Sequence, residues 1–124
     1  MKIIPAIDLM EGKVVRLYKG DPKNKTIYSD NPIEIAKKWE TAGADILHVV
    51  DLDATLGYGE NLKIIQEISK NISIPLQVAG GLRNEEKISE VLDFASRAVI
   101  GTIAMQLKER DQDTILSDFI QTFG

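Results

Sequence analysis

The sequence predicts an α/β fold in which four βα units follow one another along the chain. Short apolar runs rich in branched residues alternate with segments whose apolar residues repeat at the helical period. The apolar runs are nearly continuous, as in parallel strands that are covered on both faces. No linker, low-complexity tract or change of composition divides the sequence, so we expect a single domain over residues 1–124.

The predicted strands are short runs of branched aliphatic residues, which favour extended backbone. The long connection after the first strand, Gly12 to Gly20, alternates enough to form a short extension of the sheet. Long connections of this kind often act as lids or binding loops. The four predicted strands are Ile3 to Leu9, Ile46 to Leu52, Ile74 to Ala79 and Ala98 to Thr102.

The helices are predicted from their caps and apolar stripes. Before the first helix, Asp30 and Asn31 offer N-caps and Pro32 suits the first turn, while Gly43 suits the position after its end. The other predicted helices run from about Glu60 to Lys70, from the cap residue Asn84 onward, and from about Asp113 to Phe123.

Composition excludes several function classes. The chain has 15 basic and 19 acidic residues, a net charge of −4 and no long basic run, so neither nucleic acid nor an anionic membrane is expected as a partner. It has no cysteine, which rules out disulfides and thiolate metal sites and fits a reducing cytoplasm. The longest uncharged stretches fall far short of the roughly 20 residues of a membrane span. We therefore expect a soluble, cytoplasmic protein without a signal peptide.

The strand ends carry the candidate chemistry. Periodicity alone does not distinguish a small open sheet from part of a closed barrel, but in both architectures the carboxyl ends of parallel strands carry the site. Two of the predicted ends are acidic and two are glycine-rich, as a site that joins acid/base chemistry to phosphate binding requires. These ends are Asp8, Asp51 with Asp53, Gly80-Gly81 and Gly101-Thr102.

Asp8 and His48 are the candidate acid/base residues. Asp8 closes an apolar strand, where partial desolvation would tune a carboxylate as a general base, although a loop-anchoring aspartate is an equal alternative. His48 is the only histidine, and a lone strand histidine is more often a core residue than a catalyst. Alternation places His48 on the same strand face as Val50 and opposite Asp51.

The glycine-rich ends are candidate phosphate cradles. Gly80-Gly81 stands just before a helix start, with Arg83 nearby, and Gly101-Thr102 repeats the arrangement on the next strand. A plain turn that needs a positive φ explains the glycines equally well. In the first connection, Arg16 and Lys19 are candidate ligands for a phosphate or carboxamide, or simply exposed basic residues.

Five motifs in order resemble a known family over the whole chain. The family is that of the phosphoribosylformimino-5-aminoimidazole carboxamide ribotide isomerases of histidine biosynthesis. The resemblance implies that the fold is the (βα)4 N-terminal half of a TIM (β/α)8 barrel. The motifs are Pro5-Ala6-Ile7-Asp8-Leu9, Gly12-Lys13-Val14-Val15-Arg16-Leu17, His48-Val49-Val50-Asp51-Leu52-Asp53, Gln77-Val78-Ala79-Gly80-Gly81-Leu82-Arg83 and Val99-Ile100-Gly101-Thr102.

The resemblance also implies an activity and a set of roles. The reaction is an Amadori rearrangement of a bis-phosphorylated aminoaldose to an aminoketose, without metal or organic cofactor. Asp8 corresponds to the proton acceptor, while Arg16 and His48 correspond to residues that line the substrate site. The phosphate-binding positions correspond to Gly81, Gly101 and Thr102, with Arg83 beside them.

The sequence departs from the family in two ways. The family often has a third glycine where this chain has Ala79, and the chain ends at Gly124, before the general acid on the fifth strand and the second phosphate site. Two alternatives therefore stay open, a phosphate-binding half-barrel without turnover and half of the related cyclase subunit of imidazole glycerol phosphate synthase. The cyclase typically has a cysteine where this chain has Ala6.

A half-barrel is expected to need a second half. With four of eight strands, the first and fourth strands would offer unpaired edges. We therefore expect a homodimer, or pairing with a C-terminal half-barrel. In a homodimer, Asp8 of the second copy would stand near the position of the missing general acid.

Overall fold

A computed structural model describes residues 2–100 as a six-stranded sheet with helices packed against it. The strands are β1 (Ala6–Met10), β2 (Lys13–Tyr18), β3 (Asp21–Ser29), β4 (Leu47–Asp51), β5 (Leu76–Ala79) and β6 (Arg97–Val99). The helices are α1 (Pro32–Thr41), α2 (Leu52–Leu56), α3 (Leu62–Asn71) and α4 (Glu85–Leu92).

Parallel pairing dominates the sheet, as the sequence predicts. The strand order is β3-β2-β1-β4-β5-β6, and the pairs β1–β4, β4–β5 and β5–β6 are parallel. The register sets Ala6 beside His48, His48 beside Gln77 and Gln77 beside Arg97. The chain therefore has the mixed α/β architecture that its repeating βα pattern predicts.

The connection after β1 is a hairpin that extends the sheet in the antiparallel sense. Its first strand, β2, confirms the predicted extension, and it pairs with Asp8–Met10 of β1. β3, which pairs with β2, was not predicted, because most of its residues are polar and show no alternation of apolar and polar side chains. The expectation that β1 offers an unpaired edge is therefore wrong over those three residues, where β2 occupies the edge.

Alternation along the parallel strands separates a buried face from a half-buried face. Residues on the buried face pack against the helices, and they include Ile7 and Leu9 of β1, Leu47 and Val49 of β4, and Leu76 and Val78 of β5. The alternate residues, Asp8, His48, Val50, Gln77 and Ala79, are only half-buried. One face of the sheet is thus closed by helices while the other remains accessible.

The predicted caps of two helices are confirmed. The Asn31 side chain accepts a hydrogen bond from the Glu34 amide at the start of α1, and Asn84 does the same for Lys87 at the start of α4. The second predicted helix, Glu60 to Lys70, is found as α3, shifted by one or two residues. The fourth predicted helix, Asp113 to Phe123, and the strand end Gly101-Thr102 lie outside the described residues.

Between residues 2 and 100, no helix combines the length and the apolar character that a membrane crossing requires.

Candidate active site

Asp8 and His48 lie on the accessible face of the sheet, on adjacent strands. Asp8 is aligned with Val50, two residues beyond His48, so the histidine lies one layer nearer the amino ends of the strands. Both side chains are half-buried. The structure thus brings together the two acid/base residues that the strand ends and the alternation indicated.

The electrostatics of this pair fit proton transfer. Burial raises the pKa of the Asp8 carboxyl above its ordinary value of 3.8, and the nearby His48 partly offsets this increase. Burial lowers the pKa of the His48 imidazole from its ordinary value of 6.5, and the charge of Asp8 opposes this decrease. Desolvation therefore favours a carboxyl that readily accepts a proton and an imidazole that is neutral.

Gln77 is a site residue that sequence reasoning missed. Its side-chain Nε2 lies 2.8 Å from Nδ1 of His48, on the neighbouring strand β5. The signal was a polar residue at an alternate position of an otherwise apolar strand, Leu76–Ala79. Alternation places it on the same face as His48, so the pairing of β4 with β5 brings the two side chains together.

Asp51, the last residue of β4, and Asp53 in α2 support the site from below rather than lining it. Asp51 and Asp53 are buried, and the Asn61 side-chain amide donates to Oδ1 of Asp51 at 2.8 Å and to Oδ2 of Asp53 at 2.9 Å. Asp53 also accepts from the Glu11 amide at 2.6 Å, and Asn61 Oδ1 accepts from the Gly12 amide at 2.9 Å. This buried network fastens the turn between β1 and β2 to the segment after β4. Alternation correctly placed Asp51 on the face opposite His48.

Gly80 and Gly81 form a turn that packs directly on α2. Both have positive φ, 104° and 69°. A Cβ on Gly80 would collide with the Asp51 carbonyl and lie 2.7 Å from Thr55 Oγ1, and a Cβ on Gly81 would lie 2.5 Å from the Cβ of Ala54. Glycine is therefore required here by backbone conformation and by close approach.

Arg83 lies beside this turn and reaches back to α2. Its guanidinium donates to the Ala54 carbonyl at 3.2 Å and to the Thr55 carbonyl at 3.0 Å. These contacts use two of its five N–H donors and fix the group at the cleft between α2 and the start of α4. The nearby Lys87 pairs with Glu60 at 2.7 Å.

Arg16 stands apart from His48. With Asp8, Tyr28 and Trp39 it lines a depression beside β1, and His48 does not contribute to that surface. Arg16 is exposed and takes part in no ion pair within the described part of the chain. Arg16 and Asp8 thus line one depression, but Arg16 is not part of the Asp8 and His48 pair.

The predicted phosphate ligands Gly101 and Thr102 lie outside the described residues. Over residues 2–100, the structure contains no group of three or more acidic, histidine or cysteine side chains with the spacing of a metal site.

Comparisons with known proteins agree on one family. A sequence model of the family described as "Histidine biosynthesis protein" matches residues 2–122. A curated protein of Nitrosopumilus maritimus is 67% identical over 109 residues, which cover 88% of this chain and 46% of the relative. A protein of Cenarchaeum symbiosum is 50% identical over 124 residues, which cover 100% of this chain and 51% of the relative. A protein of Thermus thermophilus is 50% identical over 107 residues, which cover 86% of this chain and 45% of the relative.

All three relatives are named 1-(5-phosphoribosyl)-5-((5-phosphoribosylamino)methylideneamino)imidazole-4-carboxamide isomerase. The chain spans about half the length of these relatives.

Proposed function

The chain belongs to the histidine biosynthesis protein family, and we propose that it forms the N-terminal half of a (β/α)8 barrel that isomerises the ribotide named in its relatives. The observation that carries this proposal is the placement of Asp8 and His48 on one accessible sheet face, each with a pKa shifted by burial.

The barrel explains the two faces of the sheet. In a (β/α)8 barrel the helices cover the outside, and the residues that alternate with the buried ones point to the interior, where the site lies at the carboxyl strand ends. Asp8, His48 and Gln77 lie at such alternate positions, on the face that would point to the interior. The relatives, about twice as long as this chain, have the length for four further βα units.

Asp8 is the proposed base of an Amadori rearrangement. A general acid opens the furanose ring of the aminoaldose to give a protonated Schiff base, and Asp8 then removes the proton from C2′. The resulting enolamine tautomerises to the aminoketose. Hydrogen moves within one molecule, so no external oxidant or reductant is needed, and the proposal includes no metal or cofactor. A carboxyl whose pKa is raised by burial accepts this proton more readily than an exposed one.

The remaining predicted residues bind substrate. His48 lies next to Asp8 and presents a hydrogen-bonding ring to the sugar, and Arg16 extends the site along the depression beside β1. The positive-φ turn at Gly81, with Arg83 beside it at the start of α4, supports a phosphate cradle that Gly101 and Thr102 complete. The second phosphate and the general acid belong to a partner half.

Assembly is part of the proposal. The half-barrel closes with a C-terminal half-barrel or with a second copy of itself, and the cysteine-free composition fits a reducing cytoplasm. In the part of the chain that the structure describes, β6 is one of the two edge strands and is the parallel edge at which further strands would pair.

Titration calorimetry with the bis-phosphorylated ribotide, run beside an isomerisation assay of the same 124-residue chain, tests the proposal. Conversion establishes the isomerase in this chain alone. Binding without conversion identifies a half-barrel that needs its partner for turnover. Absence of binding at millimolar ligand, by a chain shown to be folded, contradicts the assignment of this face as the substrate site.

A further inference from the structure

The His48 ring has one fixed partner, the side-chain amide of Gln77. The two residues are register neighbours on β4 and β5, and the Nε2 to Nδ1 distance of 2.8 Å is that of a good hydrogen bond. In residues 2–100 no other side-chain or backbone group forms a hydrogen bond with the ring. Nδ1 is therefore held by Gln77, and Nε2 is available to a ligand in the site.

The orientation of the Gln77 amide decides which ring nitrogen carries the proton. In the orientation found here, Nε2 of Gln77 faces Nδ1 and can only donate, so Nδ1 accepts and the proton of the neutral imidazole resides on Nε2. The two ring nitrogens point in widely divergent directions, so holding Nδ1 toward β5 turns Nε2 away from that strand. β1, which carries Asp8, lies on the opposite side of β4.

The charge of Asp8 favours the same tautomer. The carboxylate is close enough to His48 to affect its pKa. With the proton on Nδ1, the lone pair of Nε2 would lie on the same side of β4 as the Asp8 carboxylate and would be repelled by it. With the proton on Nε2, the N–H dipole is directed away from β5 and the repulsion is removed.

We propose that Gln77 is a positioning residue that holds neutral His48 as its Nε2–H tautomer, so that the ring donates a hydrogen bond to an oxygen of the substrate beside Asp8. This inference rests on the proposed function for its substrate, but the tautomer itself is a property of the free chain. A neutral donor stabilises the oxyanion or hydroxyl next to a proton being removed without giving up a proton of its own.

The chain has one histidine, so its imidazole signals come from a single residue. Two-bond ¹H–¹⁵N correlation spectra of the untagged, ¹⁵N-labelled chain, recorded above the pKa of His48, report the tautomer directly. We expect an unprotonated Nδ1 and a protonated Nε2. A protonated Nδ1 in the wild-type chain overturns the proposal.

Three variants test whether Gln77 sets the tautomer of His48 or only packs against its ring. Gln77→Glu replaces the donor by an acceptor of the same shape and should move the proton to Nδ1, while Gln77→Leu should leave a mixture of tautomers. Gln66→Leu, at an exposed position of α3, is the matched control and should leave the His48 signals unchanged. If both Gln77 variants retain the backbone amide spectrum and the wild-type tautomer, Gln77 does not set it.

The spectra require no substrate, so a failure of the tautomer assignment can be distinguished from a failure of the proposed function. If the wild-type chain has the Nε2–H tautomer but does not bind substrate, the proposed function is contradicted and the tautomer assignment is supported. In an assembly that turns substrate over, Gln77→Leu should lower kcat about tenfold, the equivalent of one hydrogen bond, with a smaller change in KM. An unchanged kcat overturns the catalytic part of the inference.

Discussion

At the scale of single residues, Asp8 and His48 were predictable because their signals are local. Asp8 interrupts an apolar run and His48 is the only histidine, so these signals and the alternation sufficed to place both residues on one face, although β1 continues past Asp8 to Met10. Gln77 needed tertiary information, since its role follows from the register of β4 with β5. Arg83 was predicted at the right turn, but its bonds to the carbonyls of α2 depend on a helix that the sequence did not reveal.

Asp8→Asn is expected to stabilise the chain at neutral pH. Because burial raises the pKa of Asp8 in the folded state, the folded chain binds more protons than the unfolded chain between the ordinary value of 3.8 and the raised value. Stability contributed by the protonated carboxyl is fully present below 3.8 and is lost as the pH rises through the folded pKa. The ionised carboxylate therefore costs stability at pH 7, and the neutral amide does not.

Urea denaturation at several pH values measures this effect. The advantage of Asp8→Asn should be largest near pH 7 and should shrink as the pH falls toward 3.8. Asp30→Asn, which replaces an exposed carboxylate by an amide, is the control for the change in net charge. A destabilised Asp8→Asn variant at pH 7 would show that the carboxylate is held by favourable contacts.

At the scale of elements, the helices and strands with strong caps and apolar runs were predictable, and those set by tertiary contacts were not. α2 has five residues and follows β4 without a break, so the apolar run of the strand continues into it. Its start depends on Asp51, whose carboxylate accepts from the Ala54 amide and from the Asn61 backbone amide. No local period signals a helix formed in this way.

Gly80→Ala is expected to destabilise the chain far more than Gly43→Ala. Both glycines have a φ near 100°, 104° at Gly80 and 100° at Gly43, so both variants carry the same backbone strain of about 1 to 2 kcal/mol. A Cβ at Gly43 meets nothing within 4 Å, whereas one at Gly80 collides with the backbone of Asp51. We expect a total loss of about 3 to 4 kcal/mol for Gly80→Ala.

Urea midpoints of the two variants against wild type give the comparison. Equal losses would mean that the backbone of Asp51 moves freely away from the turn and that the close approach does not constrain Gly80.

At the scale of the whole molecule, the sheet has one face covered by helices and one accessible face that carries the candidate site. The repeating βα pattern predicted the covered face, because its apolar residues recur at strand and helix periods. The hairpin of β2 and β3 lay beyond such reasoning, since its antiparallel pairing depends on turns, among them Glu11-Gly12, where both residues have positive φ. Closure of the sheet into a barrel remains a proposal that rests on the family and on the relative lengths.

The central claim is that Asp8 removes the C2′ proton in a barrel of which this chain is one half. The most direct measurement is kcat for the bis-phosphorylated ribotide with Asp8→Asn and with its parent, each completed by the C-terminal half of a full-length relative. The account predicts that the parent turns over and that Asp8→Asn loses about 10³-fold or more in kcat while its substrate Kd changes only a few-fold. Near-parental turnover by Asp8→Asn would remove this carboxyl from the mechanism and contradict the account.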